Sequence, residues 1–126
     1  MLTEKDYCDK ETSATLIEMG FRGFGHFYYE KNSSKLKATH QFLTTRTAKA
    51  LGHTLAVSLY EAQKWLREEK DIHIEIPIWL TDDGVWKYNF RLQTREFYDR
   101  AIGEWDTYEE ALLEGIKEAI KILKEK

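Results

Sequence analysis

From Ile72 to Gln93 the chain reads IHIEIPIWLTDDGVWKYNFRLQ, with apolar and polar positions alternating on both sides of Asp82-Asp83-Gly84. A period of two marks strands with one buried face, and an Asp/Gly break between two such runs marks a hairpin. Loop length decides which side chains share a face. A two-residue loop at Asp83-Gly84 sets Ile78 against Asn89 and Ile76 against Arg91, apolar against polar. A three-residue loop, Asp82-Asp83-Gly84, sets Leu80 against Trp86, Ile78 against Tyr88, Ile76 against Phe90 and Ile74 against Leu92, all apolar. On the other face it sets Trp79 against Lys87, a cation–π arrangement, and Glu75 against Arg91, a cross-strand ion pair. It also puts glycine at the last loop position, which needs a left-handed backbone. The three-residue loop is therefore predicted. Pro77 has no N–H for the ladder, so a bulge or a missing bond is expected there.

The period changes to that of a helix on both sides of this hairpin. Ser58-Leu59-Tyr60-Glu61 and Thr107-Tyr108-Glu109-Glu110 have the Ser/Thr-x-x-Glu form of a capping box. The first opens a helix through about Glu69, with Leu59, Ala62, Trp65 and Leu66 on one side. The second opens a longer helix with Leu112, Ile116, Ala119, Ile120 and Leu123 at helical spacing. Gly115 lies on that apolar face, where it costs ~1 kcal/mol against alanine, so a close neighbour is expected. Early glutamates and late lysines suit the helix dipole. Phe97 to Ile102 is predicted as a third strand, with Leu92 facing Phe97 or Tyr98. The C-terminal half is thus helix, three-stranded meander, helix, with both helices covering the Ile74/Ile76/Ile78/Leu80 face.

In the N-terminal half, Asp9 to Met19 is predicted as a short helix, with Asp9 as its N-cap and Gly20 as its stop. Phe24 to Glu30 reads as a strand, Lys31 to Ser34 as a turn and Lys35 to Phe42 as a returning strand. Thr45 to Leu51 forms a helical turn ended by Gly52. The predicted class is α+β: an antiparallel β-meander packed on one face by two helices, plus an N-terminal helix and an aromatic β-hairpin.

A chain of 126 residues without a Pro/Ser-rich linker is expected to be one domain, 1–126, large enough to bury a core without covalent staples. A net charge of −3 disfavours indiscriminate nucleic-acid binding, though not a local basic patch. Cys8 is the single cysteine; it precludes an internal disulfide and points to a reducing, cytoplasmic setting. No run approaches membrane-spanning length and no leader is evident.

Arg22-Gly23-Phe24-Gly25-His26-Phe27-Tyr28-Tyr29 approximates the RNP1 signature, in which strand aromatics stack on bases. His26 stands where an aromatic should stack, and the run follows a predicted helix rather than a strand and a helix. Arg22, Phe24 and Tyr28 are its nucleic-acid contact candidates; a buried aromatic strand is the alternative. The order helix–three strands–helix resembles the double-stranded-RNA-binding fold, but Glu109 and Glu110 occupy the place where cations span phosphates. His26, His40, His53 and His73 make no His-x-x-x-His pair or Cys/His pattern, so no metal is expected. Asp82-Asp83 is turn chemistry. No nucleophile, phosphate-loop or dinucleotide motif is present, and no catalytic residues or cofactors are assigned. Glu104, Asp106, Glu109 and Glu110 read as a capped helix start.

Leu59-Tyr60-Glu61-Ala62-Gln63-Lys64-Trp65-Leu66-Arg67-Glu68, then Ile72-His73-Ile74-Glu75-Ile76, then Thr107-Tyr108-Glu109-Glu110-Ala111-Leu112 resembles a family of small uncharacterised proteins from phages and bacterial mobile elements. The helix ending in Met19-Gly20-Phe21 is similar to that family's usual beginning. The resemblance implies a genomic setting and a fold, and no catalytic residues. The expected function is non-enzymatic binding or assembly through protein–protein contacts, with a second copy as the simplest partner. The alternative is a nucleic-acid-binding accessory protein. The outer hairpin face, His73, Glu75, Trp79, Lys87 and Arg91, is the predicted contact surface, because its tryptophan beside cations is the mixture enriched at interfaces.

Overall fold

A computed structural model describes residues 2–96, 98–100 and 103–125, with the backbone alone for 98–100. The chain is organised in two compact units, Met1–Ser58 and Leu59–Lys126. The class is α+β.

The first unit opens with a 3₁₀ turn at Glu4–Asp6, followed by α1 (Lys10–Glu18), β1 (Phe24–Glu30), β2 (Leu36–Thr44), α2 (Thr45–Ala50) and β3 (His53–Leu55). The predicted cap is in place: the Asp9 carboxylate accepts from the Thr12 N–H at 2.8 Å. Gly20 ends α1 with a φ of 112°, a conformation glycine adopts without a Cβ penalty. The sheet order is β2-β1-β3, all antiparallel. β3 was not anticipated, since three residues carry too little periodicity to be read. The β1–β2 register shifts between Gly25 and Phe27, where Gly25 faces Leu43 but Phe27 faces Ala38. The extra residues therefore bulge from β2. Leu43, Ala48 and Leu55 form a buried cluster, against which Ile17 and Tyr28 pack. Tyr29 is buried and donates its hydroxyl to the Cys8 carbonyl at 2.6 Å. Burial, with the nearby Cys8, Asp9 and Glu4 adding to it, pushes its pKa up to about 12.

The second unit runs α3 (Leu59–Lys70), β4 (His73–Glu75), β5 (Ile78–Leu80), β6 (Trp86–Tyr88), β7 (Arg91–Gln93), β8 (Tyr98–Arg100) and α4 (Tyr108–Lys124). α3 opens directly after Ser58. At α4 the Thr107 hydroxyl accepts from the Glu110 N–H at 3.1 Å. The hairpin register is the predicted one: Leu80 faces Trp86, Trp79 faces Lys87, Ile78 faces Tyr88, Glu75 faces Arg91 and Ile74 faces Leu92. Gly84 has a φ of 81°, and the Thr81 and Val85 backbones close the three-residue loop at 2.9 Å.

Pro77 interrupts the ladder by a missing bond rather than a bulge. The register is the same on both sides of it, and the Asn89 N–H donates to the Pro77 carbonyl at 3.0 Å. The long hairpin thereby divides into a sheet of order β4-β7-β8 and a two-stranded tip, β5-β6.

Two expectations are corrected. Leu92 faces Asp99, not Phe97 or Tyr98. Phe97, Ala101 and Ile102 of the predicted third strand lie outside the described residues. The helices do not cover the whole apolar face. Ile74, Phe90 and Leu92 are buried, but Ile78 and Leu80 are exposed. The depth of cover is set at Gly115, where an added Cβ would lie 2.9 Å from the Ile74 Cγ2 and 3.3 Å from the Phe90 Cβ. A helix with its side chains is about 10–12 Å across. Strands advance about 3.3 Å per residue, so Leu80 is far beyond a helix centred on Ile74.

Candidate functional site

The β5–β6 tip carries the largest concentration of exposed apolar side chains described. Ile78 is 52% exposed, Leu80 54%, Trp86 53%, Val85 44% and Trp79 36%. They project from both faces of one short hairpin. Its local geometry is well determined by the sequence: Thr81 bonds Asp83 and, at 2.9 Å, the Val85 carbonyl. The Thr81 bond holds the Asp83 carboxyl below its ordinary pKa, helped by a backbone bond. At the base of the tip, Tyr88 exchanges two backbone bonds with Trp105, at 3.0 and 2.9 Å. Phe90 packs on Trp105 with ring centroids 5.4 Å apart, and Tyr108 meets Tyr88 edge-on at 6.4 Å. Among the described residues β5 pairs only with β6, leaving its other edge open.

The predicted contact residues fall on one face of the same long hairpin; Glu75 and Arg91 pair as expected, while Lys87 and His73 are engaged with acidic neighbours. Arg91 Nη1 lies 3.9 Å from Glu75 Oε2, and the Arg91 Nε is buried with no hydrogen-bond partner among the described residues. Lys87 does not serve Trp79 as the free cation expected. Its ammonium bonds Asp106, which raises the lysine pKa and spans from the hairpin to the start of α4. His73 Nε2 lies 3.4 Å from Asp71 Oδ1, while Arg95 Nε donates to Asp71 Oδ2 at 2.5 Å. Arg95 first, and His73 after it, hold the Asp71 carboxyl below its usual range. A shallow depression of about 310 Å³ is lined by Asp71, His73, Glu75, Gln93, Thr94 and Arg95. Thus Trp79 belongs with the exposed tip, whereas His73, Glu75 and Arg91 form a polar neighbourhood at its base.

The nucleic-acid candidates separate differently. Phe24 is 66% exposed. Tyr28 is not available for stacking: it lies on the Leu43/Ala48/Leu55 cluster with its ring 4.4 Å from that of His53. The exposed companion of Phe24 is Phe42, with ring centroids 5.2 Å apart, and His26 meets Phe42 edge-on at 5.9 Å. Phe42 was missed because the β2 bulge that places it breaks the alternation from which faces are read. Ile78, Leu80, Val85 and Trp86 were missed as surface because alternation reports a shared face, not whether anything covers it.

Among the described residues no group of three or more His, Cys, Asp or Glu side chains is placed to hold a metal ion. No described helix is long and apolar enough to cross a membrane. No family model matches the chain, and neither a curated protein nor a solved structure matches it.

Proposed function

We propose that this protein acts by binding another protein chain through the β5–β6 tip, without catalysis, and that the occupant is a second copy of itself. The carrying observation is the exposure of Ile78, Trp79, Leu80, Val85 and Trp86 on one hairpin. Apolar clusters of this kind, rich in tryptophan, are the usual centre of protein interfaces. The open edge of β5 supports a second copy, because an antiparallel edge-to-edge pairing is self-complementary about a two-fold axis. Such a two-fold pairing uses the β5 edge of both copies, so through that edge it would close as a dimer rather than extend. The resemblance of Leu59–Glu68 and Thr107–Leu112 to phage and mobile-element proteins supports an assembly role in that genomic setting. A chain with Cys8 as its single cysteine supports a reducing compartment, the cytoplasm.

Sedimentation velocity across a concentration series tests this. The wild-type chain is expected to associate, and a Trp79→Ser/Trp86→Ser variant to remain monomeric with an unchanged circular dichroism spectrum. Both side chains lie outside the buried core, so the substitutions spare folding. A wild-type chain that stays monomeric at high concentration would refute self-association.

A further inference from the structure

We propose that the first unit binds single-stranded nucleic acid on a surface where Arg22, Arg46 and Lys49 take phosphates and Phe24 and Phe42 take a base. This site is independent of the hairpin tip. It starts from a charge distribution that the total conceals. Residues 1–58 contain eight Lys and Arg against six Asp and Glu, net +2; residues 59–126 contain eleven against sixteen, net −5, which together make the −3 of the chain. Within residues 19–58 the cations are Arg22, Lys31, Lys35, Lys37, Arg46 and Lys49, against the single acid Glu30. Glu30 is itself paired with Lys37 at 3.1 Å.

The geometry turns that excess into a track. A cleft of about 590 Å³ has Arg22, Arg46, Lys49, His53, Thr45 and Thr54 on its lining. A second depression of about 290 Å³ shares Arg22, Thr45 and Arg46 with it and extends to Phe24. Cations therefore run from Lys49 past Arg46 and Arg22 to an exposed aromatic pair. Glu18 is the acid on the cleft. Among the described residues neither Arg46 nor Lys49 has an ion-pair partner, and Arg22 spends one guanidinium nitrogen on the Phe21 carbonyl at 3.0 Å. His53 also lines the cleft, and its Nδ1 is buried without a hydrogen-bond partner among the described residues.

The aromatics select the ligand class. An acidic peptide would need the cations alone, whereas Phe24 and Phe42, 66% and 56% exposed and tilted by 32°, leave π surface open to solvent beside them. A base has a π face to place there, and a single strand presents it unstacked. A duplex keeps its bases stacked and would use the cations only.

Fluorescence anisotropy of a labelled oligo(dT) with the full chain tests the site. Binding is expected to weaken with salt, with a log–log slope of about −2 for three phosphates at roughly −0.7 each on a single strand. Phe24→Ala/Phe42→Ala should weaken it about fivefold or more and keep the slope, while Arg46→Ala/Lys49→Ala should weaken it and flatten the slope. Trp79→Ser/Trp86→Ser should bind like the wild type, separating this site from the tip. All substituted side chains are exposed or half-buried, and an unchanged thermal midpoint verifies each fold. No binding at low salt, wild-type affinity in the double phenylalanine variant, loss of binding in the tryptophan variant, or tighter binding of a duplex of equal length would each overturn the proposal.

Discussion

Gly115 is where one hydrogen atom decides how close a helix can lie to a sheet. Alanine there would gain ~1 kcal/mol of helix propensity, but its methyl would meet the Ile74 Cγ2 at 2.9 Å and the Phe90 Cβ at 3.3 Å. Neither atom is the free end of a flexible chain, and overpacking a close-packed core costs about 1–3 kcal/mol. Gly115→Ala is therefore expected to destabilise the protein, and Gly115→Val more so, in chemical denaturation. Tyr29 gives a pH signature. Its ordinary pKa of 10.0 rises to about 12 in the fold, so folding favours the neutral phenol. Its contribution is complete below pH 10 and is lost as the pH climbs through the folded value. Tyr29→Phe should cost ~1 kcal/mol at neutral pH by removing the bond to the Cys8 carbonyl. The stability gap between wild type and variant should narrow between pH 10 and 12, measured by urea midpoints.

Among the elements, the β5–β6 hairpin is well specified locally and poorly supported by packing. Valine in the left-handed conformation of Gly84 is disfavoured by about 1–2 kcal/mol or more. Few buried contacts hold the tip, so the penalty should appear as local opening. Hydrogen exchange of β5 and β6 amides in Gly84→Val should accelerate, with β4 and β7 amides unchanged; equal acceleration in all four strands would show that the sheets open together. α4 is the opposite case, a helix tied to the core by Leu112, Ile116, Ala119 and Ile120. Loss of its cap in Thr107→Ala should cost ~1 kcal/mol of global stability, read from the denaturation midpoint.

For the whole molecule, the two proposed surfaces answer to salt in opposite ways. Association through Ile78, Trp79, Leu80, Val85 and Trp86 buries apolar area, which excluded salts such as sulfate strengthen. Binding at Arg22, Arg46 and Lys49 rests on phosphate neutralisation and weakens as counterions compete. Raising sodium sulfate should therefore increase self-association while releasing an oligonucleotide. If both fell together, one surface would be serving both partners.

Much of the fold is legible in the sequence. The hairpin register followed from one choice of loop length, since a single-residue slip would set Ile78 against Asn89. The caps at Asp9 and Thr107, the stops at Gly20 and Gly52 and the close approach at Gly115 followed from local chemistry that acts over a few residues. What tertiary structure alone decided was cover and company. Alternation placed Ile78, Leu80 and Trp86 on one face with Ile74, but only the position of α4 along the strands determines that Ile74 is buried and the others are not. The same holds in the first unit. Phe24 and Tyr28 look alike in sequence, yet Tyr28 is claimed by Leu43, Ala48 and Leu55, and Phe24 is left beside Phe42 by a bulge. Side-chain period is a property of the backbone and can be read along the chain; burial depends on which distant segment arrives, and no local pattern contains it.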